Sequence, residues 1–247
     1  MWGGGSTFRA FASVLSFLTI LPVGNASLET VAKHMYLFPL VGIVLGLLVG
    51  AAGFGLSIFI EPLVVGLIVT AFLVILTGIH HTDGLSDFAD GLMANGTKEK
   101  KLAAMKDVST GSAGTMAIVL YVAGLIVAFS MTDGYDLFLA ILLGETMAKF
   151  SMVLMAAMSS SASQGSSIPF VQIMRDRKRL LVSGFITLPL LVLLGGAAGL
   201  AVFGAGIAVT MLLGAISTRN FGGITGDVLG AANELVRLAS VVVFVAV

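Results

Sequence analysis

The 247-residue chain has no cysteine, only three histidines, and charged side chains at just 11% of its positions. Without cysteine there is no disulfide, no thiolate metal site and no cysteine nucleophile. Three histidines argue against an all-histidine metal cage. A soluble domain carries about 25% charged residues, so a surface wholly exposed to water is excluded. The signs cancel, 13 Lys and Arg against 13 Asp and Glu, and bulk charge offers nothing to hold a nucleic acid. Intrinsic disorder needs low hydrophobicity and high net charge and is excluded too. What fills the chain is apolar: 57% hydrophobic residues and a mean hydropathy of +1.08. This is the composition of a polytopic membrane protein.

The charge-free runs set the organisation. They lie between Lys33 and Glu61, Glu61 and Asp83, and Asp107 and Asp133. Asp136 to Arg175 is broken only by Glu145 and Lys149. Arg179 to Arg219 runs about forty residues without charge, enough at roughly 20 per span for two helices and a Gly/Ala turn. The segment after Asp227 ends in the apolar run Ser240 to Val247, a final helix that is only half hydrophobic. The runs do not alternate apolar with polar, as transmembrane strands would. The expectation is one all-α integral membrane domain, residues 1–247, with about seven transmembrane helices.

Lys and Arg gather in 1–34, 98–106, 175–179 and 219–237, while the turns between them carry Glu61, Asp133 and Asp136. The positive-inside rule puts the basic set, and any chemistry on those loops, in the cytoplasm. Segment 1–34 reads as an interfacial helix behind a flexible Gly-rich start at Met1 to Ser6. Arg9 and the apolar run to Leu21 resemble a secretory signal, but Pro22 follows directly and no Ala-x-Ala cleavage site does. Gly42, Gly46 and Gly50 form a doubled G-x-x-x-G, suited to close packing within the bundle or to a homo-oligomer contact.

The sharpest polar feature is His80-His81-Thr82-Asp83-Gly84-Leu85-Ser86-Asp87-Phe88-Ala89-Asp90-Gly91, opening an acidic segment over 80–113. Asp83, Asp87 and Asp90 stand at i, i+4 and i+7 and share one helical face. Three carboxylates within two turns repel unless protons or cations intervene. Oxygen ligands without thiolate suit a hard ion, and Mg²⁺ shares carboxylates with substrate phosphates. A solvated helix end is the plain alternative. The histidines suit orienting a phosphate or a nucleophile, or a merely interfacial place.

A second polar stretch, Lys106-Asp107-Val108-Ser109-Thr110-Gly111-Ser112-Ala113-Gly114, precedes a helix start whose N–H groups can cradle an anion. Ser/Gly loops also simply join spans. A third, from Arg219 to Glu234 within the segment 218–234, carries Gly222, Gly223, Thr225, Gly226 and Asp227. Its glycines permit a tight turn and close approach of a ligand; Asp227 and Glu234, seven apart, share a face, and Asp227 also fits an N-cap. Glu145 and Lys149 read either as an intramembrane functional pair or as mutual neutralisation. Arg175, Arg177, Lys178 and Arg179 end a basic loop over 159–179, a topological stop first and an attractor for polyanions second.

Together these pieces resemble the cobalamin synthase family, the adenosylcobinamide-GDP ribazoletransferases. The likeness runs in order along nearly the whole chain. Phe17-Leu18-Thr19-Ile20-Leu21-Pro22-Val23 is similar to F-L-T-R-L-P-V, and Phe38-Pro39-Leu40-Val41-Gly42 follows with Gly46. His81 to Gly91 is similar to H-L-D-G-L-A-D-T-x-D-G, and Met105-Lys106-Asp107 with Gly111 to M-[RK]-D-x-x-x-G. Gly222 to Ala231 with Glu234 looks like G-G-x-T-G-D-x-L-G-A-x-x-E. Ile20, Thr82, Ser109 and Glu145 depart from the family pattern, so no phosphate contact is assigned to them.

The resemblance implies a Mg²⁺-dependent multi-pass transferase of the cell membrane. It joins adenosylcobinamide-GDP to α-ribazole or its 5′-phosphate and releases GMP. On that reading Asp83, Asp87 and Asp90 hold metal with Asp227, and His81 or a carboxylate takes the hydroxyl proton. Lys106, Asp107, Gly111, Gly222, Gly223, Thr225, Gly226 and Glu234 contact substrate. Two alternatives remain at the level of the sequence. One is another intramembrane Mg²⁺-diphosphate transferase, of CDP-alcohol phosphotransferase or prenyltransferase type. The other is a cation transporter, although transporters usually hold their ions near the bilayer midplane.

Overall fold

Helix formation follows the charge gaps. The computed structural model describes residues 4–24, 27–162 and 165–247, so the reading of Met1 to Ser6 lies in part outside the described residues. Eleven α-helices follow one another among the described residues: α1 Gly4–Leu18, α2 Leu28–Lys33, α3 Phe38–Ser57, α4 Pro62–Leu76, α5 His80–Met93, α6 Lys98–Ala104, α7 Ser112–Ser130, α8 Gly134–Met158, α9 Ser167–Met174, α10 Arg177–Phe221 and α11 Gly226–Ala246. Among the same residues there is no strand, only a lone bridge between Ser161 and Ile224. The protein is all-α, as the continuous apolar runs required.

Among the described residues, five helices are long and apolar enough to cross a membrane: α3 with the turn before it, α7, α8, α10 and α11. A sixth arises only if α4 and α5 are taken as one span, and these two bend by 92°. The expected count of about seven differs for a local reason. α10 is 45 residues long and leaves helical geometry at Gly196 (φ 55°, ψ −126°). A Cβ placed on Gly199 would lie 1.8 Å from the Leu191 carbonyl oxygen, so the chain folds back there. The expected Gly/Ala turn is present, joining two arms of one helix pair.

α8 is the central post. Its side chains from Leu139 to Ala156 are buried all round, as befits a helix apolar on every face. α3, α10 and α11 pack on it. The glycine stripe makes the α3 contact possible within the chain: a Cβ on Gly42 would stand 2.5 Å from the Glu145 carbonyl oxygen, and one on Gly46 2.6 Å from Leu142 Cα. α1 buries Val14, Leu15 and Leu18 and packs on α2 and α3, while Phe8 stays exposed.

The bundle has two chemically different ends. At one, the Arg179 guanidinium donates to the Lys33 carbonyl, and Lys101 donates to Leu92 O and Asn220 Oδ1, each at 3.0 Å. At the other, Gly134 N donates to Ser57 Oγ, and Pro62, Asp133, Asp136 and Gly195 line a cavity of about 600 Å³. The basic loops thus share one end. Arg237 does not belong with them: it is 1% exposed in the middle of α11, so the basic set over 219–237 reduces to Arg219.

Candidate active site

Two residues swing the acidic helix out of the bundle. Gly78 (φ 71°) and Ile79 (φ 66°) both adopt left-handed backbone between α4 and α5. Glycine does so freely, but a β-branched residue is strained there by about 1–2 kcal/mol. The turn throws α5 across the end of the bundle, outside the five spans, where it packs on α7 and α11.

On α5 the three aspartates part company. Asp83 is exposed, Asp87 and Asp90 half-buried. Asp90 is already engaged: Gly111 N donates to its Oδ2 at 2.7 Å and Gly114 N to its Oδ1 at 2.8 Å. The N–H groups ahead of α7 do cradle an anion, as their sequence suggested, but that anion is the chain's own carboxylate. Gly111 and Gly114 are small for this reason, since a Cβ on either would fall 2.4 or 2.5 Å from an Asp90 oxygen.

The Gly-rich segment before α11 meets α5 directly. A Cβ on Gly84 would lie 3.1 Å from Asp227 Cα. Thr225 caps α11 by accepting from Val228 N at 3.3 Å, and its hydroxyl donates to Asp227 Oδ2 at 3.2 Å. Asp227 therefore stands beside the α5 acids despite the sequence separation. The effect shows on Asp87, whose carboxyl is pushed from an ordinary 3.8 to about 6 by burial first, then by Asp83, Asp227 and Asp90. Among the described residues, none of these four acids forms a salt bridge. Nor do three or more such side chains among those residues already close on an ion-sized position.

Asp227 and Gly226 form a wall between two cavities. The larger, about 440 Å³, reaches from Asp227 past His80 and His81 to Phe17, Phe38 and Phe170. The smaller, about 160 Å³, includes Lys106, Ser166 and Thr225. His81 is buried, its Nδ1 has no hydrogen-bond partner, and burial, then Lys149, Arg237 and His80, hold its pKa well below 6.5. Burial thus disfavours its charged form.

Other sequence-chosen residues take structural places. Asp107 Oδ1 accepts from Ser109 N at 2.9 Å in its own exposed loop. Gly222 ends α10 in left-handed geometry (φ 84°), and Gly223 passes so close to the Ser160 carbonyl that a Cβ would stand 2.4 Å away. Neither lines the two cavities. Glu234 is fully buried away from Asp227 in a second charged cluster. There Arg237 pairs with both Glu145 and Glu234 and donates to Tyr121 Oη at 2.6 Å. Lys149 donates to Asn233 Oδ1 at 2.7 Å, and Asn233 to Glu234 Oε1 at 3.0 Å. Glu145 and Lys149 thus form no salt bridge with each other; each makes its hydrogen bonds to α11.

Sequence reasoning missed Tyr121, Asn233 and Arg237, and the cavity walls Met152, Ser166 and Phe170. The walls carry no polar pattern to betray them. Phe17 and Phe38 sat inside quoted motifs but had no role until the fold brought them to one cavity.

Residues 10–245 match the family described as cobalamin-5-phosphate synthase. A protein of Methanocella arvoryzae named adenosylcobinamide-GDP ribazoletransferase is 35% identical, covering 98% of this chain and 97% of its own. Proteins of that name from Archaeoglobus fulgidus and Pyrococcus abyssi are 34% and 33% identical, each covering 94% of this chain and 95% of their own. No solved structure matches. A family match over nearly the whole length, with relatives of one name at this identity, leaves one conclusion: the chain belongs to the cobalamin-5-phosphate synthase family.

Proposed function

We propose that the chain is an adenosylcobinamide-GDP ribazoletransferase, as its relatives are named, working at the cytoplasmic face of the cell membrane. The carrying observation is that Asp227, in the wall of a 440 Å³ cavity, stands close enough to the α5 acids to act on Asp87, and that none of these acids forms a salt bridge among the described residues. Acids so placed need counter-charge, and a diphosphate brings a metal ion with it. The donor set suits Mg²⁺: oxygen atoms only, with the Asp87 carboxyl raised to about 6 by burial and then by the neighbouring acids. Mg²⁺ usually keeps waters and takes one or two protein carboxylates plus phosphate oxygens. Asp83, Asp87 and Asp227 would hold it, with Asp90 fixing the α5–α7 geometry beside them. When bound, the ion neutralises charge developing on the diphosphate.

The reaction balances simply. A ribose hydroxyl of α-ribazole, or of its 5′-phosphate, attacks the phosphorus attached to cobinamide. The P–O bond to the GMP phosphate breaks, and the electron pair leaves with GMP. The hydroxyl proton passes to a carboxylate at the rim or to the neutral His81. Positioning and charge neutralisation supply most of the acceleration in such transfers. Lys106, in the wall of the smaller cavity, is placed to meet a phosphate oxygen.

The test is mass spectrometry of membranes carrying the protein, incubated with adenosylcobinamide-GDP, α-ribazole and Mg²⁺. Adenosylcobalamin and GMP should appear together. Asp87→Asn should lower turnover by at least about 10³-fold, the scale of losing a principal charge-stabilising group, while the protein stays folded. Full turnover by Asp87→Asn at low Mg²⁺ would count decisively against the metal role.

A further inference from the structure

The larger cavity has a composition that the diphosphate chemistry does not explain. Phosphates, metal and ribose all want polar walls, yet beside Ser16, Ser166, the two histidines and Asp227 its lining holds Phe17, Phe38, Met152 and Phe170. The rings are held in relation to one another, Phe17 to Phe170 at 6.1 Å and Phe38 to Phe170 at 6.2 Å. His81 is 7% exposed in the same wall, and its Nδ1 has no partner. A buried polar atom left unpaired costs about 1–3 kcal/mol, so its retention there asks for a ligand atom that pairs with it.

Size decides which substrate this is. About 440 Å³ falls in the usual range for small-ligand pockets, about 300–1,000 Å³. It accommodates a nucleoside and excludes a corrinoid several times larger, which must stay on the open side of the carboxylates. Polarity decides which part of a nucleoside goes inside. A guanine edge carries two donor groups and a carbonyl that aromatic walls would leave unpaired. A methylated benzimidazole is flat and apolar except for one bare ring nitrogen. One orphan donor and one bare acceptor match.

We infer that this cavity seats the acceptor nucleoside: its bicyclic base lies among Phe17, Phe38 and Phe170, His81 Nδ1–H donates to the free ring nitrogen, and the ribose faces out to Asp227. His81 then recognises the base, and the proton of the attacking hydroxyl goes to a rim carboxylate. The orientation follows from depth: Asp227 stands at the half-buried start of α11, beside the other acids, whereas His81 lies buried against the backbone of Gly230. The inference rests on the ribazoletransferase reading, which names the acceptor.

Competition on the unmodified enzyme tests it without risk to folding. Free dimethylbenzimidazole should inhibit competitively against α-ribazole and leave the KM for adenosylcobinamide-GDP unchanged. The indole of the same shape, with CH in place of the bare nitrogen, should bind about tenfold more weakly. In His81→Ala the two should bind alike, and Phe170→Ala should raise the acceptor KM about tenfold at constant donor KM. Competition against the donor, or discrimination against indole that survives in His81→Ala, would overturn the assignment. Equilibrium dialysis of dimethylbenzimidazole with the purified protein reads the cavity without turnover. Binding there with no product from the full reaction would sink the transferase reading and leave the cavity assignment standing. Absence of binding beside normal product formation would do the reverse.

Discussion

Two clusters of acids occupy this molecule, and they are solved in opposite ways. Glu145 and Glu234 lie in the middle of the bundle, and both meet the Arg237 guanidinium, with Lys149 and Asn233 completing the set. Asp83, Asp87 and Asp227 lie at its end and form no salt bridge among the described residues, although Lys106 shares a cavity wall with Asp227. The first cluster is complete: two acids and two bases in a low-dielectric setting where an unpaired charge is hard to sustain. The second is unfinished, tolerable only because water reaches Asp83 and because Asp87 can keep its proton. Paired charge marks where the fold is fastened; unpaired charge marks where a ligand is expected.

The comparison can be broken most forcefully at Arg237. Arg237→Met strands two buried carboxylates and should cost about 3–5 kcal/mol, seen as a collapse of the thermal transition in detergent. Neutralising the whole set, Glu145→Gln and Glu234→Gln with Arg237→Met and Lys149→Met, should recover most of that loss. A single variant that melts like the parent would show the cluster is not fastened as described.

Asp90 should fall between the two clusters. Asp90→Ala removes both acceptors from the N-terminus of α7, a loss of about 1–2 kcal/mol typical of a deleted helix cap. Differential scanning calorimetry should show the Tm lowered by about 2–8 °C. An unchanged Tm would return Asp90 to the unfinished group.

The smallest effect has the opposite sign. The folded-state carboxyl of Asp87 sits at about 6, above its ordinary 3.8. Its charged form is therefore disfavoured by the fold, and stability is lost as pH rises through that interval. Without metal, Asp87→Asn should raise the Tm at pH 7 by about 1–2 °C, a modest gain because the group is largely in water. The gain should vanish at pH 4, where the parent is protonated, and shrink when Mg²⁺ is added. A loss of stability at pH 7 would mean Asp87 is already paired.

Much of this contrast was legible in the chain. The charge-free runs announced the helices, and the i, i+4, i+7 aspartates announced the unfinished cluster because periodicity alone puts them on one face. Of the Gly222 to Glu234 segment, the structure brings Asp227 beside the α5 acids. Glu234 was not separable from Asp227 by spacing, since seven residues return to the same face but about 10 Å further along it, and that distance carries Glu234 into the bundle. Nor could spacing pair Glu145 with Arg237 rather than with Lys149: the local i, i+4 partner was visible, the one on another helix was not. The use of the α7 N–H groups escaped for the same reason, because Asp90 fills them from 21 residues away.

One dimension of the fold bears on where substrates must travel. α4 has 15 residues, a rise of about 22 Å, against a hydrocarbon core of about 30 Å. Since the turn at Gly78 and Ile79 follows at once, α5 is moored about 8 Å short of the depth that a full span would reach. The bilayer must thin around it, or draw the acidic helix down among the headgroups. Either way the meeting point of two large polar reactants is an inlet of the membrane rather than its outer surface. A donor of the proposed kind would meet lipid as well as protein there, and bilayer thickness becomes a variable of the proposed reaction.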